Sequence, residues 1–253
     1  MERKYKNPRI EEVLCEIQFL MPEGKGDLTY PGIIYEKIKE SFPEKDAIVG
    51  VGFPLPQQRY FELPKTPPSL SISVVSRFFT SDKSTALEVS NDLIRVRKFK
   101  PYISWSNFKS LIRESFKIYR DVMNPGRFKR ILLGYVNAFE FKEKTINLAD
   151  YFNLPFNPQS LPFPYDAFNI RIECPCEDGS EKLGLTFATL VPTEPGRLAI
   201  GLFIEYFTAS QGAPIPFDNV DEWLEKAHRE IEETFETVIT DTTRKLLGEE
   251  GEL

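Results

Sequence analysis

The fold is decided by the last long segment, residues 217–247, which reads FDNVDEWLEKAHREIEETFETVITDTTRKLL. Its apolar residues recur at spacings of three and four, the 3.6-residue period of an amphipathic helix. This apolar stripe consists of Val220, Trp223, Leu224, Ala227, Ile231, Phe235, Val238, Ile239 and Leu246. Asp218 can cap the start and Gly248 follows the end. The sequence therefore predicts one helix of about 30 residues, roughly 45 Å long, that covers most of a domain.

Most of the chain before this helix has the two-residue alternation of β-strands. Strands are predicted at residues 13–20, 59–63, 71–79, 86–89, 93–99, 128–141, 167–174, 183–191 and 198–208. Helical spacing occurs at residues 30–42 and again up to Met123, after a cap at Ser104 or Ser106. Residues 145–152 indicate a short helix or turn. A loop rich in glycine and proline is predicted around residues 50–56, and a loop with four prolines at 154–164.

The order strand, helix, three strands, long helix occurs twice along the chain. The sequence therefore predicts an α+β fold built from two internally duplicated β-α-β-β-β-α units, with a mostly antiparallel sheet covered by two long helices. The pseudo-repeats span about residues 8–125 and 127–248 of a single domain, residues 1–253. A repeat of about 120 residues is too long for a solenoid.

Composition indicates an ordinary globular protein. The 253 residues are 41% hydrophobic and 28% charged, and no apolar run is long enough to span a membrane. The first residues, MERKYK, lack the apolar core of a signal peptide, and three cysteines are too few for a disulfide scaffold. These features predict a cytoplasmic protein that has no membrane partner.

Four segments carry a resemblance to a known family. They are residues 7–19 (NPRIEEVLCEIQF), 93–108 (from LIRV to PYISWSNF), 127–131 (RFKRI) and 227–241 (from AHREI to ITD). In this order they resemble a sporadically distributed prokaryotic family of about this length, recognised by sequence model and without an assigned activity. The chain departs from it at Lys98, Phe99 and Lys100, where members more often carry an aromatic-polar pair. The resemblance implies the length and a single domain, and it carries over no catalytic residue.

Charge is distributed unevenly, although the net charge is only −6. Residues 95–130 hold eleven Lys/Arg and two acids, a net of +9, whereas residues 216–253 have a net of −8. The candidate binding residues are Arg95, Arg97, Lys98, Lys100, Lys109, Arg113, Lys117, Arg120, Arg127, Lys129 and Arg130. They could form a solvated face, dock on the acidic helix of a second copy, or bind single-stranded nucleic acid with Phe99, Tyr102, Trp105 and Phe108 stacking on bases.

Metal and catalytic candidates are few. Cys15, Cys174, Cys176 and His228 equal a zinc site in number, but paired Cys-x-x-Cys motifs are missing and we predict no metal and no cofactor. His228 is the sole histidine, with Glu225 and Glu232 within helical reach, and we expect it to be a boundary residue of the helix rather than a general base.

The sequence carries no nucleophile elbow, Walker A loop, dinucleotide fingerprint or His-Glu-x-x-His motif. The preferred hypothesis is a non-catalytic interaction protein that forms a homodimer, or binds another protein, through complementary basic and acidic helices. The first alternative is single-stranded nucleic-acid binding through residues 95–130. The second is a small-molecule binder or enzyme with His228 at a pocket between sheet and helix, which Phe187, Phe203, Tyr206 and Phe207 could line.

Overall fold

The computed structural model describes residues 5–21, 29–52, 71–102, 104–153, 166–176, 179–209 and 217–248. Within these ranges the chain forms nine strands and four α-helices. The strands are β1 (Ile10–Phe19), β2 (Glu44–Gly52), β3 (Ser71–Phe79), β4 (Thr85–Ser90), β5 (Leu93–Phe99), β6 (Phe128–Phe141), β7 (Asn169–Pro175), β8 (Glu181–Leu190) and β9 (Leu198–Thr208). The helices are α1 (Tyr30–Ile38), α2 (Trp105–Met123), α3 (Val220–Val238) and α4 (Asp241–Leu247). None of these helices is both long enough and apolar enough to cross a membrane.

All nine strands belong to one sheet, in the order β2-β3-β4-β5-β1-β6-β9-β8-β7. Each neighbouring pair is antiparallel. The predicted α+β class and antiparallel sheet are therefore confirmed. The first strand of the chain, β1, pairs with β6 at the centre, and β2 and β7 lie at the two edges.

One face of the sheet, called here the helical face, packs against α2 and α3. On β1 this face carries Cys15 and Phe19, and the Phe19 ring stacks on Phe116 and Tyr119 of α2. On β9 it carries Tyr206, whose ring contacts Trp223 of α3. These side chains are buried, so the apolar stripe of each helix meets the apolar alternation of the strands.

The opposite face of the sheet carries a row of alternating charges, one residue from each of five neighbouring strands. Glu16 is paired with Arg95, Arg95 with Glu88, Glu88 with Arg77 and Arg77 with Asp46. Opposite charges directly across a strand pair stabilise the sheet. The row therefore fixes the register of the first half of the sheet on the side away from the helices.

The helix predicted at residues 217–247 is wrong in two respects. Its first residues, Phe217–Asn219, form a 3-10 turn that gives α3 no side-chain cap, and the chain breaks the helix after Val238. Ile239 and Thr240 are extended, with φ/ψ of −88°/151° and −92°/172°. Ile239 forms a bridge with Phe152, and the Thr240 N–H donates to the carbonyl of Tyr151 at 3.0 Å. The Thr240 hydroxyl then caps α4. The apolar stripe continues through the break, so periodicity alone predicts a continuous helix.

Other predicted elements agree closely with the structure. The bounds of β3, β5, β6 and β9 are as predicted, and α2 is capped by Ser104, whose hydroxyl accepts the Asn107 N–H at 3.3 Å. Residues 145–152 contain a 3-10 turn, Leu148–Asp150. The prediction missed β2, and it assigned residues 50–52 of that strand to a loop. The predicted strand at 59–63 and the loop at 154–164 lie outside the described residues.

Candidate functional site

The edge strand β2 is the most exposed strand of the described sheet. It pairs with β3 over nine residue pairs, and no described strand lies on its other side. Residues 44–49 are all exposed, including Ile48 at 42% and Val49 at 62%. Val74, the partner of Val49 on β3, is 41% exposed. This edge therefore presents apolar side chains together with backbone N–H and C=O groups that no described strand pairs.

The two ends of β2 differ in charge. The charged end is held by contacts within the chain. Asp46 makes a bidentate ion pair of 2.6 Å with Arg77, and the Lys45 ammonium lies 4.1 Å from the centre of the Tyr35 ring. Glu44 pairs with Lys83 at 3.3 Å. Residues 47–52 read AIVGVG and carry no charge. Natural sheets usually protect an edge with charges, proline or a bulge. The uncharged part of β2 has none of these.

The other edge of the sheet is protected. The strand β7 carries Arg171 and Glu173, which form an ion pair of 2.9 Å, and it ends in Pro175. Glu173 also pairs with Lys182 of β8 at 3.1 Å, and these contacts lower the pKa of Glu173, the hydrogen bond from Arg171 most of all. Charge and proline both oppose the addition of a further strand. Of the two edges, the uncharged residues 47–52 of β2 are therefore the stretch that no charge, proline or described strand protects.

Six of the eleven predicted basic residues contact partners in the same chain. On the sheet, Arg95 pairs with Glu16 and Glu88, Arg97 pairs with Glu12 and Glu88, and Lys100 pairs with Glu11, while Lys98 donates to the Ser84 hydroxyl. On α2, Lys109 pairs with Glu225 and Arg113 pairs with Asp221. The predicted complementarity between basic and acidic helices thus exists inside one chain.

The other five basic residues lie at the end of α2 and the start of β6, with Arg130 on the opposite face of the sheet. Lys117, Arg120, Arg127 and Lys129 are exposed, and Arg130 is half-buried over the ring of Phe207. No described acidic side chain forms a salt bridge with any of them. We call these five residues the basic patch.

The four aromatic residues predicted to stack on nucleic-acid bases have partners within the chain. The ring of Phe99 lies 4.9 Å from the guanidinium of Arg97. Phe108 is buried in the core, and Trp105 stacks on His228 with the ring centres 4.3 Å apart. Tyr102 packs edge-on against Tyr135. The structure therefore engages these rings in contacts within the chain, and Phe108 is buried while Tyr102 and Trp105 are half-buried.

The helices α2 and α3 are joined by hydrogen bonds to one carboxylate. Glu225 accepts from Lys109 and from the Trp105 indole N–H, the latter at 3.1 Å. The hydrogen bond from Lys109 is the main cause that lowers the pKa of Glu225, and that from Trp105 adds to it. A second ion pair, Arg113 to Asp221 at 3.2 Å, lies one turn along. The junction holds the two helices side by side on the sheet.

His228 is buried in the same junction and both of its ring nitrogens have partners. Nδ1 lies 3.1 Å from the Tyr135 hydroxyl, which in turn lies 3.2 Å from the Tyr102 hydroxyl. Nε2 lies 3.2 Å from Glu232, as the helical spacing predicts. A buried histidine whose two nitrogens are both satisfied links α3 to β6. This arrangement agrees with a boundary residue of the helix.

The three cysteines do not gather around His228. Cys15 is buried on β1, where burial raises the pKa of its thiol, and Cys174 is exposed. The Cys176 thiol donates to the Tyr206 hydroxyl at 3.4 Å, and that hydroxyl donates to Glu181 at 2.5 Å. Burial is the main cause that raises the pKa of Tyr206. Among the described residues, no group of three or more His, Cys, Asp or Glu side chains could hold a metal ion.

The predicted pocket lining is wrong, because its four aromatic residues do not share a face. Phe187 and Tyr206 lie on the helical face and are buried there. Phe203 and Phe207 lie an odd number of residues from Tyr206 on the same strand, and side chains alternate between faces along a strand. They therefore lie on the opposite face of the sheet and cannot line a pocket between sheet and helix.

Sequence reasoning missed β2 as a functional element. The available signal was the run of six uncharged residues, 47–52, directly after three charged ones. Its two glycines and the prolines that follow favoured a loop instead. No family model matches the chain, and no curated protein matches it. The resemblance to a prokaryotic family therefore stays a prediction.

Proposed function

We propose that this chain is an interaction protein that captures an extended segment of a protein partner by adding it to the sheet beside β2. The observation that carries the proposal is the unprotected edge of β2. A strand added there would pair with the backbone groups of residues 44–52 and would cover the exposed side chains of Ile48, Val49 and Val74.

The contrast between the two edges supports this reading. If both edges were unprotected, the molecule would form open chains through edge-to-edge contacts. Charge and Pro175 guard β7, so among the residues that the structure describes β2 is the edge left for pairing. The charged end of β2 is anchored by Arg77 and Tyr35, which keeps the strand extended before a partner arrives. A preformed strand lowers the entropic cost of binding.

Hydrogen exchange tests the proposal with a synthetic peptide, EKDAIVGVG, as the added strand. At saturating peptide we expect the backbone amides of residues 44–52 that point away from β3 to exchange at least about ten-fold more slowly, because they gain hydrogen bonds. The matched control is Val49→Lys, which places a charge in the exposed apolar segment and should abolish the slowing. Exchange rates that neither the peptide nor a higher protein concentration changes would refute the proposal.

A second candidate function is binding of single-stranded nucleic acid through phosphate contacts at the basic patch. It is favoured by four exposed basic side chains and by Arg130, none of which has a described ion-pair partner. Trp105 stacks on His228 and Phe108 is buried, which weighs against base stacking. The net charge of −6 opposes polyanion binding. Retention on heparin at low salt, lost in Lys117→Glu/Arg120→Glu but kept in Lys109→Glu, is the expected result. No retention would exclude this function.

The internal duplication predicted from the sequence is also part of our proposal. With β2 set aside, the strand order read from the outer edge to the centre is β3-β4-β5-β1 in the first half and β7-β8-β9-β6 in the second. A helix of 19 residues follows the last strand of each half. These matching orders support two related units. The cytoplasmic location belongs to the same proposal and is supported by the exposed free thiol of Cys174.

A further inference from the structure

We infer that the strand added beside β2 is β2 of a second copy of this chain, paired antiparallel and centred on Ile48. This inference rests on the proposed function, because it names the partner of the same edge. It places self-association on the sheet edge, whereas the acidic and basic helices already pair within one chain.

Strand geometry restricts the possible registers. In a pair formed by two copies of one strand, the side chains of two facing residues lie on the same face of the joint sheet. Because side chains alternate along a strand, the numbers of two facing residues must sum to an even value. Centring on Ile48 brings residue 44 opposite residue 52 and pairs all nine residues of the strand. Centring on Ala47 or Val49 leaves residues at the strand ends unpaired.

Charge favours the same register. With Ile48 opposite Ile48 of the second copy, Ala47 lies opposite Val49, and the charged residues 44–46 lie opposite uncharged residues 50–52. Centring on Asp46 would instead place two carboxylates directly across the strand pair, which is destabilising. The strand is therefore complementary to itself. In the pair, residues 47–49 of both copies lie in the centre, and the charged residues of the two copies lie at opposite ends.

The exposed apolar side chains fit this pairing. Val49 and Val74 lie on the helical face of the sheet, because the strand registers connect them with Phe78, Leu87 and Val96. Pairing about Ile48 brings Ala47 and Val49 of both copies together on that face and covers the edge of Val74. Ile48 of both copies meets on the opposite face. Each apolar side chain exposed on β2 thereby gains an apolar neighbour.

The symmetry of this contact closes the assembly. A two-fold axis through Ile48 uses the same edge of both copies and leaves β7 at both outer edges. Because Arg171, Glu173 and Pro175 protect β7, the joint sheet stops at two copies. A contact between β2 of one copy and β7 of the next would form open chains, and the charges and the proline of β7 oppose it.

The first test is the mass of the full chain in solution, measured by sedimentation equilibrium over a hundred-fold range of concentration. We expect twice the chain mass for the wild type and for Val191→Lys, a control at another exposed valine outside the sheet edge. Val49→Lys should weaken the dimer at least about ten-fold, because two added lysines lie close together across the axis. A monomer mass at every concentration, or a dimer unaffected by Val49→Lys, overturns the inference.

The second test is the register itself. Directly opposed Cα atoms in an antiparallel pair are about 4.5–5.5 Å apart, within the range that a disulfide spans. Under mild oxidation Ile48→Cys should form a disulfide-linked dimer, whereas Val191→Cys and the wild type should not. Failure of Ile48→Cys to cross-link in a dimeric protein overturns the register. If the peptide slows exchange in β2 while the full chain stays monomeric, the proposed function stands and only the second copy as partner is refuted.

Discussion

Glu88 lies at the centre of the charged row, and replacing it by glutamine should destabilise the fold strongly. Its side chain is 1% exposed and accepts hydrogen bonds from both Arg95 and Arg97, the latter at 3.0 Å. A glutamine of the same shape can accept from one arginine, but its NH2 group then faces the other guanidinium. Removing one partner of a buried ion pair costs about 3–5 kcal/mol.

The expected loss is smaller than that range, because neither arginine is left without a carboxylate. Arg95 keeps Glu16, and Arg97 keeps the bidentate pair with Glu12 that raises the pKa of its guanidinium. The remaining cost is that of two charge-assisted hydrogen bonds to a buried acceptor. We therefore expect Glu88→Gln to lower the free energy of unfolding by about 2–3 kcal/mol.

Urea denaturation at pH 7 measures this loss, with Asp46→Asn as the matched control. Asp46 ends the same row, but its side chain is 49% exposed, so its pair with Arg77 should contribute less than about 1 kcal/mol. Both variants should keep the denaturant slope of the wild type. If Glu88→Gln loses no more than Asp46→Asn does, the description of Glu88 as a buried centre of the row is wrong.

Two further predictions concern a turn and a helix cap. The Asp82 carboxylate accepts from the Thr80 hydroxyl at 2.6 Å, and this bond is the main cause that lowers its pKa to about 2. A lowered pKa stabilises the fold above the ordinary value near 4, and this stabilisation disappears as the pH falls toward 2. Thermal unfolding of Asp82→Asn should therefore depend less on pH between 4 and 2 than the wild type does, and equal dependence would contradict the assignment. Thr240→Ala removes the hydroxyl that accepts the Thr243 N–H and donates to the Asp150 carbonyl. Urea denaturation should therefore show a loss of about 1 kcal/mol in the free energy of unfolding. An unchanged stability would indicate that the break in the helix does not need this cap.

Strands and helices with strong periodicity could be predicted from the sequence because the pattern that forms them also buries them. The alternation of β6 and β9 gave their bounds, since every second residue lies on the covered face. The stripe of α2 and its cap at Ser104 are likewise local features. In such elements local preference and tertiary packing agree.

The candidate site could not be predicted in the same way. Residues 44–49 of β2 have no buried face and therefore no alternation to detect, since the extended form of the strand depends on pairing with β3. The end of α3 has the same origin. Ile239 continues the apolar stripe, but the residues on either side of it bond to the backbone of residues 151 and 153. In both cases a partner that is distant in sequence overrides the local pattern.

By itself the sequence determined the α+β class, the antiparallel strands, the amphipathic stripes of α2 and α3, and the separation of basic and acidic regions. Only the tertiary structure decided which charges meet. Glu16 and Arg95 are far apart in the chain and adjacent in the sheet because β1 and β5 pair. Strand order also decided which edge stays open. Periodicity reports whether a side chain is buried, whereas the choice of neighbour depends on the topology that brings distant strands together.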